Sequence, residues 1–201
     1  DLDSGKVRVA EKINSEWYSK EELKSLGFKK IGSDAKISRS VKIYGFTGTI
    51  GSKSRIDDYT ILKGNIDIGS YVHISSFCYF AAVGSYIKIG KLTGISARTS
   101  IFAVTDDFIG DYLTNPTVNK KFRNIIKGDV LIGNNISIGA NSLILPDVKI
   151  ADHSSIAAFS IINKNILKKG SIYGNNIKTK KIYQKNIIRI LKKQKKFLKK
   201  L

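Results

Sequence analysis

Cysteine, proline and histidine are scarce in this chain. Its 201 residues include one cysteine, two prolines and two histidines. The single cysteine, Cys78, excludes an internal disulfide and fits a reducing compartment, so we expect a cytoplasmic protein. No stretch approaches the roughly 18 apolar residues that a membrane-spanning helix needs. Residues 1–14 contain no apolar core of a secretory signal peptide, so none is expected there.

Acidic residues are few, since 16 Asp and Glu face 35 Lys and Arg, and the formal net charge is +19. From Lys164 to Leu201 every charged residue is basic, so much of the excess lies in the tail. Such a charge indicates anionic partners, namely phosphates, nucleic acid or a membrane surface. Nucleic acid is the least expected of these, because no basic motif interleaved with aromatic residues accompanies the charge.

The tail also carries a helical pattern. The stretch IYQKNIIRILKKQKKFLKKL puts Ile187, Leu191, Leu198 and Leu201 on one face, with lysines elsewhere. It predicts a basic C-terminal helix, which we expect to dock on its own or a neighbouring subunit. Peripheral contact with a membrane surface is the alternative.

Between positions 31 and 166 the chain has a six-residue rhythm of branched apolar residues. An α-helix repeats every 3.6 residues and a strand every two, so neither alone explains the spacing. Six residues make one short strand and a corner, and three such units close a triangular coil of about 18 residues. We therefore predict stacked coils of parallel strands around a central aliphatic column. The column positions are Ile31, Ile37, Ile43, Ile50, Ile56, Leu62, Ile68, Ile74, Phe80, Ile89, Ile95, Ile101, Ile132, Ile138, Ile144, Ile150, Ile156 and Ile162.

Small residues accompany this rhythm. Glycine follows many column residues, as at Gly51 and Gly133, where a crowded corner favours a residue without a Cβ. Two positions before most column residues lies a small or β-branched side chain, such as Val72, which we expect to fill the remaining interior. Cys78 lies on the same track, and we interpret it as a small buried hydrophobe rather than a catalytic thiol.

The rhythm divides the chain into three segments. Residues 1–30 form an N-terminal segment, residues 31–166 the β-helix domain, and residues 167–201 a linker with the basic helix. One interruption, at residues 104–128, is too long for a corner, so we predict a loop that leaves the stack. Long loops on rigid scaffolds often carry function.

A short helix is expected over residues 15–28. Ser19 and Glu22 have the spacing of a capping box, and Gly27 is a possible stop. We interpret this helix as a cap over the exposed end of the core rather than a substrate contact.

The run IGNNISIGANSLILPDVKIADHSSIAAFSIINKNI resembles the hexapeptide-repeat acyltransferases, and the resemblance covers about residues 30–182. It implies an all-β, left-handed parallel β-helix, acetyl-CoA as co-substrate, and a homotrimer with active sites between adjacent subunits. Galactoside and maltose O-acetyltransferases are one similar branch. Sugar acetyltransferases of surface polysaccharide (lipopolysaccharide) biosynthesis are another, and some of these act on nucleotide-linked amino sugars. The stretches RIDDYTIL, YVHISSF and TDDFIGDYLTNP look most like the second branch.

The resemblance also implies residues that bind the coenzyme. Gly139, Ala140 and Ala158 would offer backbone contacts to the pantetheine arm. Asn163 and Lys164 would lie near the coenzyme, and Lys178 and Lys181 would bind its phosphates. Lysine suits a phosphate because it supplies a mobile point charge. The chain departs from the family pattern in two places, where Asn176 replaces a proline and Asp147 replaces the glycine after Pro146.

The catalytic base is the least settled prediction. Galactoside-type relatives use a loop histidine, but Asp107 falls at that position, and an ordinary aspartate is a poor base for a hydroxyl at neutral pH. His73 is the alternative, because it directly precedes column residue Ile74 and should point outward. His153 we interpret as structural. An amine acceptor needs a dedicated base less than a hydroxyl does, so we favour N-acetylation of an amino sugar over O-acetylation, with His73, Asp107 or neither as base.

Acceptor binding has its own candidates. Asp57, Asp58, Asp106 and Asp107 could bind a sugar ammonium or hydroxyls, and Arg98 could bind a phosphate or carboxylate. No metal is expected, because the zinc enzymes of this fold need three histidines and the chain has two. A different class of function, a non-catalytic β-helix scaffold or membrane-surface adaptor acting through the basic tail, also fits the charge.

Overall fold

The computed structural model of the protein describes residues 16–174, 183–184 and 187–199. Two α-helices lie within these ranges, Lys20–Ser25 (α1) and Ile187–Leu198 (α2). A 3₁₀ turn covers Lys120–Phe122. The strands β1 to β19 are, in order, Phe28–Ile31, Lys36–Ile37, Lys42–Ile50, Arg55–Ile56, Ile61–Ile68, His73–Ile74, Tyr79–Ile89, Gly94–Ile95, Ser100–Phe102, Val104–Asp106, Ile125–Lys127, Val130–Ile132, Ser137–Ile138, Leu143–Ile144, Lys149–Ile150, Ser155–Ile156, Ile161–Ile162, Ser171–Tyr173 and Tyr183–Gln184.

The strands form the three faces of a left-handed parallel β-helix, as predicted. On two faces the coils share the long strands β3, β5 and β7, which pair in parallel along both faces. The third face is a separate sheet of eight strands in the order β19-β18-β16-β13-β8-β6-β4-β2. We call this sheet the third face. Except for β19, which runs antiparallel, its neighbours are one coil apart in the chain.

The predicted aliphatic column fills the interior. Of its members only Ile31 and Ile43 are partly exposed, and each of the others is at most 3% exposed. The small residues two positions earlier are buried with them, among them Val72, Ser154 and Cys78. Burial of this column supplies the main hydrophobic stabilisation of the fold, at about 1.5–3 kcal/mol per fully buried aliphatic side chain.

The corners of the coil contain a feature that the rhythm did not reveal. The residue three positions before a column member repeatedly adopts the left-handed conformation, with φ between 54° and 64°. These residues are Asp34, Lys53, Tyr59, Tyr71, Phe77, Leu92, Arg98, Asn135, Asn141, Asp147, His153 and Phe159. Asp147 therefore occupies a position that suits glycine, and Asp is among the residues that tolerate such a φ.

Glycines at other corners are there for the predicted reason, which is a lack of space for a Cβ. A Cβ added to Gly51 would lie 2.4 Å from the backbone nitrogen of Ser70 in the next coil, and one added to Gly139 would lie 2.3 Å from that of Ala158. Stacked coils therefore approach each other too closely at these points for any side chain.

The interruption at residues 104–128 is an arm that leaves the stack. Its stem is the antiparallel pair of β10 and β11, in which Thr105 pairs with Ile126. Apolar side chains at its tip are exposed, notably Phe108, Ile109 and Leu113. The arm therefore presents an uncovered apolar surface beside the rigid coils.

The two helices lie at opposite ends of the chain. The capping box of α1 is present, since the Glu22 backbone N–H donates to the Ser19 hydroxyl and the Ser19 backbone N–H donates to the Glu22 carboxylate. The predicted basic helix is present as α2. Within the described ranges, no helix combines the length and apolarity that crossing a bilayer requires.

Adjacent isoleucines in β17 allow a matched test of the column. Ile162 is 1% exposed, whereas Ile161 is 47% exposed on the outer surface. We expect Ile162→Ala to lower the free energy of unfolding by about 2–5 kcal/mol, because it leaves a cavity in the column. Ile161→Ala should cost less than about 1 kcal/mol. Urea denaturation followed by circular dichroism measures both, and equal losses would contradict the proposed role of the column.

Candidate active site

An outward-facing row of side chains runs along the third face. The residue directly before each column isoleucine points out of the coil, and parallel pairing places these residues in register. From the N-terminal coils onward the row reads Lys36, Arg55, His73, Gly94, Ser137 and Ser155. The row therefore changes character at His73, from long cationic side chains to small ones.

A groove lies over the small side chains. It has a volume of about 360 Å³ and extends from His73 past Gly94 and Ser137 to Ser155, with Gly139 also in its lining. A Cβ added to Gly94 would meet no atom within 4 Å, so the glycine leaves open space rather than relieving a backbone clash. The groove can therefore hold a narrow, extended chain that ends beside His73.

A second cavity lies on the other side of His73. It has a volume of about 580 Å³, and Lys36, Lys53 and Arg55 contribute three cations to its lining against the one carboxylate of Asp34. His73 lines both this cationic cavity and the groove. An anionic molecule in the cavity and a chain in the groove would therefore meet at the imidazole.

His73 is held by an ion-pair cluster. Its Nε2 lies 2.8 Å from Oδ2 of Asp57, and the Arg55 Nε lies 2.9 Å from the other carboxylate oxygen. Burial raises the pKa of the Asp57 carboxyl, but the hydrogen bond from His73 and the charge of Arg55 outweigh burial and leave that pKa below its ordinary value. Asp57 is therefore ionised at neutral pH.

The tautomer of His73 follows from these contacts. The Arg55 Nη2 also lies 3.0 Å from Nε2, but a guanidinium only donates, so Nε2 cannot serve it and Asp57 at once. The shorter contact is to a carboxylate, which assigns the proton to Nε2. The ring's Nδ1 is then the nitrogen that can accept a proton.

Two other predicted acceptor residues, Asp58 and Arg98, lie on the corner that follows the third face. Asp58 accepts hydrogen bonds from the hydroxyls of Ser38 and Ser40, which tie it to the preceding coil. Arg98 is exposed, and its guanidinium lies 5.9 Å from the ring centroid of Phe77. Neither contact excludes binding of an acceptor, and both roles stay predictions.

The paired aspartates of the arm bond within the arm. Asp106 accepts from the Asn115 backbone and from the Arg123 guanidinium, and these contacts lower the pKa of its carboxyl. The Asn124 amide, followed by the Gly110 backbone, lowers the pKa of Asp107 in the same way.

These contacts bear on the chemistry predicted for the arm. Both carboxylates stabilise the fold of the arm, and a lowered pKa makes Asp107 a weaker base than an ordinary aspartate. The identity of the base, His73, Asp107 or neither, stays a prediction.

The predicted coenzyme residues fall into two groups. Gly139, Ala140 and Ala158 lie on one corner, where the chain leaves the third face at β13 and β16. Asn163 and Lys164 are exposed on a different corner, after β17. Lys178 and Lys181 lie outside the described residues.

The backbone N–H and carbonyl of Gly139 both form hydrogen bonds within the coils. Its N–H donates to the carbonyl of Ile156, and its carbonyl accepts from the Ser142 hydroxyl. The contribution of Gly139 to the groove is therefore its lack of a side chain. The role of this residue and of its neighbours in coenzyme binding stays a prediction.

Cys78 lies in the buried interior of the coils and not in the site. Burial raises the pKa of the Cys78 thiol to about 11, so it stays protonated at neutral pH. Its thiol donates to the carbonyl of Ser96. In the part of the chain that the structure describes, no cluster of three or more His, Cys, Asp or Glu side chains is placed to hold a metal ion.

Several site residues were missed from the sequence. Lys36, Arg55, Gly94, Ser137 and Ser155 occupy the same position before a column residue that singled out His73. Applying that rule to every coil would have found the whole row. Lys53 and Tyr71 lie at left-handed corners, which the six-residue rhythm does not predict, so no sequence pattern identifies them.

Comparison with known proteins gives consistent results. Residues 129–164 match the family model described as bacterial transferase hexapeptide (six repeats). A dTDP-4-amino-4,6-dideoxy-D-glucose acyltransferase of Escherichia coli is 35% identical over 148 residues, covering 72% of this chain and 77% of that protein.

Solved structures of AntD, an N-acyltransferase from Bacillus cereus, share the fold over most of both chains. The complex with dTDP and 3-hydroxybutyryl-CoA is 32% identical, with a TM-score of 0.82 and coverage of 92% of this chain and 97% of AntD. A serine-to-alanine variant bound to dTDP-4-amino-4,6-dideoxyglucose and coenzyme A is 33% identical, with a TM-score of 0.80 and coverage of 92% and 99%. Taken with the repeat and the three-faced coil, this likeness shows that the chain belongs to the hexapeptide-repeat acyltransferases.

Proposed function

We propose that the protein transfers an acyl group from acyl-coenzyme A to the amino group of a nucleotide-linked sugar. The observation that carries the proposal is the position of His73, bonded to Asp57, between a groove lined by small residues and a cationic cavity. The E. coli relative is named for this reaction class, and AntD has been solved with dTDP, an amino-sugar nucleotide and coenzyme A.

The two cavities suit the two substrates. The pantetheine arm is a narrow chain, and the groove over Gly94, Ser137 and Ser155 has room for one. The diphosphate of a nucleotide sugar is anionic, and Lys36, Lys53 and Arg55 offer donors for it. In this arrangement the thioester and the sugar amine approach each other at His73.

The proposed chemistry uses His73 as a proton acceptor. The neutral amine attacks the thioester carbonyl, a C–N bond forms, and the carbonyl oxygen gains negative charge. Nδ1 of His73 takes the proton from nitrogen, while Asp57 stabilises the imidazolium that results. Collapse of the tetrahedral intermediate breaks the C–S bond and releases coenzyme A as thiolate, which takes up a proton.

We also propose a cellular location and a pathway, which follow from the substrates. Acyl-coenzyme A and nucleotide sugars are cytoplasmic metabolites, so we place the enzyme there, in the synthesis of a surface polysaccharide such as lipopolysaccharide. The acyl group is acetyl or a short homologue of it.

Turnover tests the reaction class directly. Coenzyme A release from acetyl-CoA and 3-hydroxybutyryl-CoA should be fast with dTDP-linked amino sugars and slow with their hydroxyl counterparts. No release with any amino sugar, together with no binding of coenzyme A by calorimetry, would remove the proposal.

Substitution of His73 tests the base. We expect His73→Ala to lower kcat by about 10²–10⁴-fold, the usual contribution of a general base. Asp57→Asn should lower kcat by a smaller factor because the imidazole remains. His153→Asn, at the other histidine, and Asp107→Asn should leave kcat within about two-fold. Steady-state kinetics measures all four, and a His73→Ala enzyme as fast as wild type would show that the amine needs no base.

The groove can be tested through Gly94. Gly94→Val fills space that no atom occupies, so it should leave the thermal midpoint of unfolding unchanged while weakening coenzyme A binding by about ten-fold or more. Ser100→Val, on another face of the same coil, is the matched control and should keep wild-type affinity. Calorimetry with coenzyme A measures the effect, and unchanged affinity in Gly94→Val would place the coenzyme elsewhere.

A homotrimer is part of the proposal, because the arm leaves Phe108, Ile109 and Leu113 uncovered. We expect light scattering to give three chain masses. Ile109→Asp should favour smaller species, because it places a charge in the apolar contact. A protein that is monomeric at all concentrations would contradict this part of the proposal.

A further inference from the structure

The C-terminal helix returns along the third face. After β18 the chain reverses, because β19 pairs with β18 in antiparallel register, Ser171 opposite Gln184. Four strands separate β19 from β6, so the distance between them is about 24 Å at the usual strand spacing. The 12 residues of α2 span about 18 Å. The helix therefore covers most of this distance, and its far end contacts the coil of His73.

Contact with that coil is made by an aromatic pair. The rings of Phe197, near the end of α2, and Tyr71 lie 5.6 Å apart in an edge-to-face arrangement. Tyr71 is two residues before His73, and the Lys53 ammonium lies 5.7 Å from the Tyr71 ring centroid. Phe197 itself lines the cationic cavity together with these residues. One wall of the cavity thus comes from α2 and the rest from the coils.

The wall that α2 contributes to the cavity is only partly packed. Phe197 remains 46% exposed despite its contact with Tyr71. One turn earlier, on the same face of α2, the Gln194 Oε1 is buried with no hydrogen-bond partner among the described residues. A buried unpaired polar atom is costly, and no described residue offsets that cost.

Charge makes the docking of α2 depend on whether an anion is bound in the cavity. Residues 187–201 contain seven Lys and Arg and no acid, and the cavity that Phe197 lines has three cations against one carboxylate. Like charges repel, so docking of α2 is favoured when an anion occupies the cavity. By thermodynamic reciprocity, a docked α2 raises the affinity of the cavity for that anion by the same factor.

We propose that α2 forms a wall of the acceptor subsite and that Phe197 raises the affinity of the cationic cavity for a nucleoside diphosphate. The inference rests on the proposed function, since it takes the cationic cavity as the place of the acceptor's diphosphate. It assigns the basic tail to substrate binding rather than to a membrane surface.

Calorimetry with dTDP as the probe tests the wall without requiring turnover. We expect Phe197→Ala to weaken dTDP binding roughly five-fold, the scale of one lost aromatic contact, and to change coenzyme A affinity by less than two-fold. Phe197→Tyr keeps the ring and should restore binding. Ile188→Ala is the matched control, because Ile188 is on the same helix and 72% exposed.

Limited tryptic digestion provides a second measurement. Trypsin cleaves after the lysines of α2, and dTDP should slow this cleavage in the wild-type protein and have no such effect in Phe197→Ala.

The outcomes separate this inference from the proposed function. Wild-type protein that binds coenzyme A but no dTDP would overturn this inference alone, and protein that binds neither would overturn both. Equal dTDP affinity in wild type and Phe197→Ala would overturn the wall alone, as would an equal loss of coenzyme A affinity. Loss of binding to phosphatidylserine vesicles in Phe197→Ala, with dTDP affinity unchanged, would assign the helix to a membrane surface.

Discussion

Burial of one branched aliphatic side chain every six residues is the interaction on which the rest of the molecule depends. Each coil must direct its column residues to the same axis, and that requirement sets the direction of the residues beside them. His73 points outward because Ile74 points inward, and the same holds for Arg55 before Ile56 and Gly94 before Ile95. The packing of the core therefore determines which side chains face outward in the site. A rigid column also keeps the groove and the cavity at a fixed distance from the imidazole.

Much of the fold could be predicted because its signals are local and repeated. The column, the glycines at the tight corners and the capping box of α1 all depend on residues a few positions apart. The left-handed corners could not be predicted, since Tyr71, Leu92 and Phe159 rarely adopt positive φ. Each such residue costs about 1–2 kcal/mol, and the column on either side offsets that cost. Tertiary packing decides these positions, and no local propensity reveals it.

The site was predictable only in part, and for a related reason. The outward direction of His73 follows from its place beside a column residue. The rhythm places Arg55 and His73 in register one coil apart, but it does not fix the side-chain conformations that bring them to Asp57. Asp57 was predicted to bind a sugar ammonium or hydroxyls; the structure shows it bonded to His73 and Arg55, and the predicted role stays a prediction. The contact of Phe197 with Tyr71 joins residues far apart in the chain, and no sequence pattern connects them.

The row on the third face has a consequence for how such enzymes diverge. Each coil contributes a single outward side chain to it, and the column beneath is indifferent to which side chain that is. On the proposed assignment of the cavity and the groove, exchanges at Lys36 or Arg55 would alter what the enzyme accepts, whereas exchanges at Ser137 or Ser155 would alter what it carries. Donor and recipient preferences could then drift separately, one residue at a time, without disturbing the coil that holds them in line.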